Sequence, residues 1–124
     1  MSYYDQLGGE QSLRRLVDRF YDAMDELEVA ATIRAMHPAD MTIARQKLFE
    51  FLSGWLGGPN LYWERYGHPR LRRRHLHVAI DQRAADAWMA CMYVSLDEVV
   101  VDDEALRKLL EQRLAQVAAH MMNR

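Results

Sequence analysis

Two histidines and four arginines share one short segment of the chain, His68-Pro69-Arg70-Leu71-Arg72-Arg73-Arg74-His75. An imidazole nitrogen can coordinate a transition metal, and arginine is a strong donor to anionic oxygens. The spacing of the histidines corresponds to about two helical turns, so a short helix starting near Pro69 would place His68 and His75 on the same side. The segment therefore has the chemistry to hold a ligand that combines a metal centre with anionic arms.

Heme is such a ligand, because its iron takes an axial histidine and its propionates require cations. The alternative is a solvated basic helix with surface histidines, which is the usual role of a run of charges. The segment by itself leaves both interpretations open. Zinc is a poorer candidate, since the sequence lacks the tight group of cysteines and histidines that is typical of a structural zinc site.

The composition is that of an ordinary folded protein, and 124 residues are enough for one domain with its own core. Half of the residues are apolar and 27% are charged, which argues against disorder. The formal net charge of -2 gives no general attraction to nucleic acid. The single cysteine, Cys91, favours a reducing compartment. With neither a signal-peptide pattern nor an apolar run of ~18 residues, we expect a cytoplasmic protein without a membrane partner.

Helical periodicity runs through nearly the whole sequence, and no segment alternates convincingly in the manner of a strand. Four stretches place apolar residues at three- and four-residue spacing, which predicts four substantial helices and an all-α fold. Asp40, Asp81 and either Asp102 or Asp103 are expected to cap the last three of them. The four apolar stripes are Leu13, Leu16, Val17, Phe20, Tyr21 and Met24; Met41, Ala44, Leu48, Phe51, Leu52 and Trp55; Ala84, Ala87, Trp88, Cys91, Met92, Ser95 and Val99; and Leu106, Leu109, Leu110, Leu114, Val117 and Met121.

The stretch from Gly57 to Ile80 is long for a connection between helices. Gly57-Gly58-Pro59 should end the second helix, and a loop with Tyr62, Trp63 and Tyr66 is expected to lead into the short basic helix. Long connections in compact domains are commonly functional or disordered, and the aromatic residues argue against disorder. We therefore expect a ligand site beside this loop.

Several separated motifs resemble the truncated hemoglobins, and among them the second group. They are Tyr4-Asp5 with Leu7-Gly8-Gly9, Phe20-Tyr21, Gly57-Gly58-Pro59, Gly67-His68-Pro69-Arg70-Leu71-Arg72 followed by Arg74-His75, and Ala87-Trp88 followed by Cys91-Met92. Each is weak alone, but their order and spacing match nearly the whole chain. The resemblance implies one globin-like domain over residues 1–124, a truncated two-over-two helical sandwich around heme b whose walls are the family's helices B, E, G and H.

The resemblance also implies roles for individual residues. His75 would be the proximal iron ligand, and Arg74, Lys47 and Tyr62 would hold the propionates. Apolar contacts with the cofactor are expected from Leu48, Phe51, Leu71 and Trp88. The distal side, around the sixth coordination position, would comprise Tyr21, His37, Ala44, Leu48, Phe51 and Trp88.

The distal side would lack the histidine that many globins place at the position of Ala44. Tyr21 and Trp88 each carry a donor for bound dioxygen, although buried aromatics of these types commonly use their polar tips on the backbone. His37 stands where the family commonly has tyrosine or phenylalanine, so it could make distal polarity depend on pH or could simply face solvent. His77 is expected to point roughly 200° away from His75 on a helix and so to be unable to share the iron.

The implied function is binding of dioxygen, nitric oxide and carbon monoxide. Several distal donors favour slow release and redox chemistry over simple oxygen transport, because a carrier must let its ligand go. One alternative is a dedicated enzyme, a nitric oxide dioxygenase or peroxidase supplied with electrons by a separate reductase. The other is a helical interaction module without heme, whose arginines contact an anionic surface.

Overall fold

A computed structural model describes all 124 residues, and its only regular structure is helical. None of the helices combines the length and the apolar character that crossing a membrane requires. A short 3-10 turn, Glu28–Ala30, precedes the third helix. The α-helices are α1 (Tyr3–Leu7), α2 (Gly9–Glu26), α3 (Ala31–Ala35), α4 (Thr42–Trp55), α5 (Leu61–Tyr66), α6 (Leu71–Arg74), α7 (Gln82–Val99) and α8 (Glu104–Met121).

The four long helices form two layers, with α2 packed on α4 in one and α7 packed on α8 in the other. Contacts between α2 and α7 join the layers. The largest fully buried side chains, among them Leu13, Phe20, Met92 and Leu110, lie on these helices. The prediction of an all-α two-over-two sandwich built on four substantial helices is confirmed.

The predicted stripe of α2 is buried at all six positions, whereas the other three stripes are only partly buried. Apolar spacing identifies the inner face of a helix without showing whether that face meets another helix or an open space. Several half-buried residues of these stripes face an open space, the cavity described below. They are Ala44, Leu48, Trp88, Val117 and Met121.

Aspartates mark the starts of three long helices, close to the expected positions. The backbone N–H of Ala84 donates to the Asp81 carboxylate at 2.8 Å, and that of Leu106 donates to Asp103 at 3.0 Å. Asp40 lies one residue before the cap position of α4, yet its carboxylate accepts from the backbone N–H of Thr42 at 2.9 Å. Each carboxylate satisfies a donor that the first helical turn leaves without a partner.

Tyr62, Trp63 and Tyr66 belong to helix α5, so the prediction of a loop was wrong. Aromatic residues are only moderate helix formers, and tertiary packing decides the conformation here. The Trp63 ring stacks on Phe51 of α4 with centroids 5.7 Å apart, and the rings of Tyr62 and Tyr66 lie 4.7 Å apart. Packing against α4 therefore stabilises a helix that local propensity alone does not predict.

The short basic helix α6 begins at Leu71 rather than near Pro69, and it has a single turn. Arg70 adopts a left-handed conformation with a φ of 45°, which separates the preceding residues from the helix. His68 is consequently exposed and outside the helix. The prediction that His68 and His75 share one side of a helix was wrong.

Candidate functional site

A cavity of about 560 Å³ lies among α2, α4, α7 and α8, with α6 and the residues after it forming part of the wall. Of its 23 lining residues, 18 are hydrophobic, so the cavity suits a largely apolar ligand of cofactor size. All of the residues predicted for the site line this one cavity: Tyr21, His37, Ala44, Lys47, Leu48, Phe51, Tyr62, Leu71, Arg74, His75 and Trp88.

His75 follows the last residue of α6 and is half-buried in the cavity wall. Its Nδ1 lies 2.6 Å from the carbonyl oxygen of Leu71, so Nδ1 carries the proton and Nε2 keeps a lone pair. Burial lowers the pKa of His75, against the raising effect of the Leu71 bond, and the nearby His77 and His37 lower it further. The neutral imidazole with one oriented nitrogen is the form that binds a metal.

Two cations, Lys47 of α4 and Arg74 of α6, lie on the cavity wall beside a pair of tyrosines. The Lys47 ammonium lies 5.3 Å from the ring centroid of Tyr66, and the Arg74 guanidinium lies 5.6 Å from that of Tyr62. Arg74 also donates to the Tyr66 carbonyl at 3.2 Å. Neither cation forms a salt bridge within the protein, so both remain available to an anionic group of a ligand.

Aromatic side chains form another part of the wall. Trp88 of α7 packs edge-on against Phe20 with centroids 5.2 Å apart, and Tyr21 packs edge-on against His37 at 5.9 Å. The Tyr21 hydroxyl donates to the Ala44 carbonyl at 3.3 Å, whereas the indole N–H of Trp88 donates to no protein group. Burial raises the pKa of Tyr21 well above its ordinary value, against an opposing effect of Arg45, so the phenol stays protonated. The cavity wall thus includes one residue with an unpartnered donor, Trp88, and one whose donor is already engaged, Tyr21.

His37 is half-buried and lines the cavity near the start of the loop between α3 and α4, so it does not simply face solvent. Its Nδ1 lies 2.9 Å from the Ile33 carbonyl, which leaves Nε2 as an acceptor in the neutral ring. Arg34 secures the loop by donating to the carbonyls of Pro38 and Ala39, both at 3.0 Å. In its neutral form, His37 therefore has an acceptor rather than a donor at its remaining ring nitrogen.

His77 is exposed and is also one of the cavity-lining residues, and the prediction that it points about 200° away from His75 depended on a helix through both residues. Helix α6 ends at Arg74, so the helical rotation per residue does not apply beyond it. Leu114, Val117 and Met121 of α8 also line the cavity, although the sequence analysis did not single them out for the site. Their stripe predicted an inner face, and only the packing of the layers shows what that face meets.

Several known proteins are similar to this chain. The family model described as bacterial-like globin matches residues 2–123. The group 2 truncated hemoglobin YjbI of Bacillus subtilis (strain 168) is 41% identical over 115 residues, which cover 93% of this chain and 84% of that protein.

Two solved structures superpose closely on the chain. The cold-adapted truncated hemoglobin from the Antarctic marine bacterium Pseudoalteromonas haloplanktis TAC125 has a TM-score of 0.96 and 46% identity, covering 100% of this chain and 99% of its own. The truncated oxygen-avid hemoglobin from Bacillus subtilis has a TM-score of 0.88 and 39% identity, covering 99% of this chain and 100% of its own. The chain therefore belongs to the bacterial-like globins and, among them, to the group II truncated hemoglobins, whose cofactor is heme.

Proposed function

We propose that this protein binds dioxygen, nitric oxide and carbon monoxide at a heme iron held by His75, and that it releases dioxygen slowly. The observation that carries the proposal is the composition of a single cavity. It contains an imidazole with a free Nε2, two cations without carboxylate partners and an indole N–H without an acceptor. Heme supplies the iron at which diatomic molecules bind.

The residues around the cavity fit this cofactor. The bond from Nδ1 of His75 to the Leu71 carbonyl fixes the tautomer that a proximal ligand requires. Lys47, Arg74 and the Tyr62 hydroxyl would hold the propionates, since these groups lie on the wall and the cations are not neutralised. Leu48, Phe51 and Leu71 provide apolar surface for the macrocycle.

Slow release of dioxygen is expected from the hydrogen-bond donors of the residues that line the cavity. Dioxygen draws electron density when it binds, so N–H and O–H groups aimed at it stabilise the bound state. We assign this role to Trp88 first and to Tyr21 second, because the Tyr21 hydroxyl must give up its bond to Ala44 in order to donate. His37 contributes a donor only when it is protonated. Retention of this kind suits redox chemistry better than oxygen transport, and the description of the Bacillus subtilis relative as oxygen-avid supports it.

Nitric oxide oxidation is the reaction that these features favour. Dioxygen and nitric oxide combine with one electron to give nitrate, NO + O₂ + e⁻ → NO₃⁻, so each turnover needs an electron from a separate reductase. We place this reaction in the cytoplasm, where the single buried thiol of Cys91 stays reduced. Steady-state consumption of nitric oxide that requires both oxygen and an added reductase is the expected result, and consumption limited to one equivalent per heme would contradict it.

The iron ligand is tested by replacing His75 with glycine. We expect His75→Gly to lose the Soret band during purification and to regain it when imidazole is added, because free imidazole can occupy the vacated position. His68→Ala is the matched control, because His68 is exposed and does not line the cavity, and it should keep the wild-type band. Wild-type heme content in His75→Gly would refute the assignment. A wild-type protein that gains no Soret band with added hemin would favour the module without heme.

A further inference from the structure

The last residues of the chain return from α8 to the segment that follows His75. Asn123 makes four hydrogen bonds there. Its backbone N–H donates to the Ile80 carbonyl at 2.8 Å, and its Oδ1 accepts from the Ile80 N–H at 2.9 Å. Its Nδ2 donates to the carbonyls of Val78 at 3.0 Å and of His75 itself at 3.2 Å. One carboxamide thus contacts both ends of segment 75–80.

The other restraints on segment 75–80 are local backbone hydrogen bonds and the packing of Ile80 against the core. The segment lies outside any helix, and Leu76, His77 and Ala79 are exposed, so burial of side chains restrains it weakly. The preceding helix α6 has only one turn, and short helices are marginal without tertiary contacts. The backbone N–H groups of His75, Leu76 and Val78 bond only within residues 71–78, so Asn123 and the neighbouring Arg124 N–H supply the hydrogen bonds that tie segment 75–80 to a distant part of the chain.

We propose that Asn123 is a positioning residue for His75. By holding the His75 and Val78 carbonyls and both backbone groups of Ile80, it fixes the segment. That in turn keeps the imidazole aligned with the Leu71 carbonyl at 2.6 Å. The C-terminal end of α8 would then set the strength of the bond between iron and imidazole, because a well-aligned Nδ1–H bond makes the ring a stronger ligand. This proposal rests on the proposed role of His75 as the iron ligand.

The carboxamide suits this role because it offers an acceptor and two donors at once. Asn123→Asp keeps an oxygen that can accept from the Ile80 N–H. It loses both side-chain donors and places a negative charge beside the carbonyl oxygens of His75 and Val78. Asn123→Ala loses every side-chain bond. The pair of variants therefore separates the acceptor function from the donor function. Gln116→Ala is the matched control, since Gln116 is an exposed amide on α8 whose side chain makes no hydrogen bond in the protein.

Two measurements on the purified, heme-containing protein test the proposal. In amide hydrogen exchange, the Ile80 N–H should exchange about tenfold faster in Asn123→Ala, which corresponds to the loss of one hydrogen bond, and near the wild-type rate in Asn123→Asp. In resonance Raman spectra of the ferrous protein, the iron–imidazole stretching band should shift to lower frequency in both variants. Gln116→Ala should match the wild type in both measurements.

A residue that only stabilised the fold would leave the Raman band unmoved. The proposal is overturned by a wild-type iron–imidazole frequency in both Asn123 variants. It is equally overturned by unchanged exchange at Ile80 in Asn123→Ala. The proposed function fails differently, through a wild-type protein that takes up no heme. In that event hydrogen exchange alone decides whether Asn123 holds the segment. If Asn123→Ala does not fold, the Raman band of Asn123→Asp decides the role of the donors.

Discussion

Trp88 lines the cavity, and replacing it with phenylalanine removes its indole N–H while keeping an aromatic ring beside Phe20, whose centroid lies 5.2 Å away. No group of the protein accepts from the indole, so its removal breaks no bond within the fold. The change therefore isolates whatever the N–H contributes to a ligand in the cavity. If Trp88 donates to dioxygen, the variant should release it faster.

The expected acceleration of dioxygen release depends on whether each donor already has an acceptor in the protein. A hydrogen bond to a charged or partly charged acceptor contributes about 1.5–3 kcal/mol, which predicts a roughly 10- to 150-fold faster release from Trp88→Phe. Tyr21 already donates to the Ala44 carbonyl at 3.3 Å, and giving up that bond costs about 1 kcal/mol. The acceleration in Tyr21→Phe should therefore be roughly fivefold smaller than in Trp88→Phe.

Stopped-flow mixing of the oxygenated protein with excess carbon monoxide and dithionite measures the dioxygen dissociation rate directly. Trp55→Phe and Tyr93→Phe are matched controls, because neither residue lines the cavity. Carbon monoxide provides a second control, since it develops less charge than dioxygen and gains less from a donor. Its dissociation rate should change much less than that of dioxygen in the same variants.

Two results would refute the reasoning. The first is a wild-type dioxygen dissociation rate in both Trp88→Phe and Tyr21→Phe, which would mean that neither group donates to the ligand. The second is an equal acceleration for dioxygen and carbon monoxide, which would assign the effect to the shape of the cavity. A larger acceleration in Tyr21→Phe than in Trp88→Phe would contradict the ranking drawn from the Ala44 bond.

Three further predictions concern other parts of the molecule. Arg74→Gln should transfer hemin to apomyoglobin roughly fivefold faster than wild type, as expected for one partly exposed charged contact, while Arg73→Gln should not. Burial raises the pKa of the Cys91 thiol to about 11. Mass spectrometry should therefore show alkylation near neutral pH only in denaturant. The free energy of unfolding should also fall as pH rises from 9.0 toward 11, because the unfolded thiol loses its proton first. Glu50 is buried with Oε1 unpartnered and Oε2 3.4 Å from Arg65. Urea unfolding of Glu50→Gln should show unchanged stability or a gain of up to about 1 kcal/mol, and a loss would contradict this.

Much of the architecture could be predicted from the sequence because long amphipathic helices leave a strong local signal. The stripe from Leu13 to Met24 is buried as its spacing predicted, and Asp81 and Asp103 cap their helices through short-range bonds. Motif order was enough to identify the family and to select residues that line one cavity. These inferences depend on interactions within a few residues, or on a pattern shared with relatives.

The remaining features arise from contacts between distant parts of the chain. Helix α5 depends on stacking of Trp63 on Phe51, and α6 begins only after a left-handed turn at Arg70 rather than near Pro69. The engagement of Tyr21 with Ala44 and the hold of Asn123 on His75 span 23 and 48 residues. Periodicity identifies the inner face of a helix, but only the packed structure decides which donors are already engaged and which remain free for a ligand.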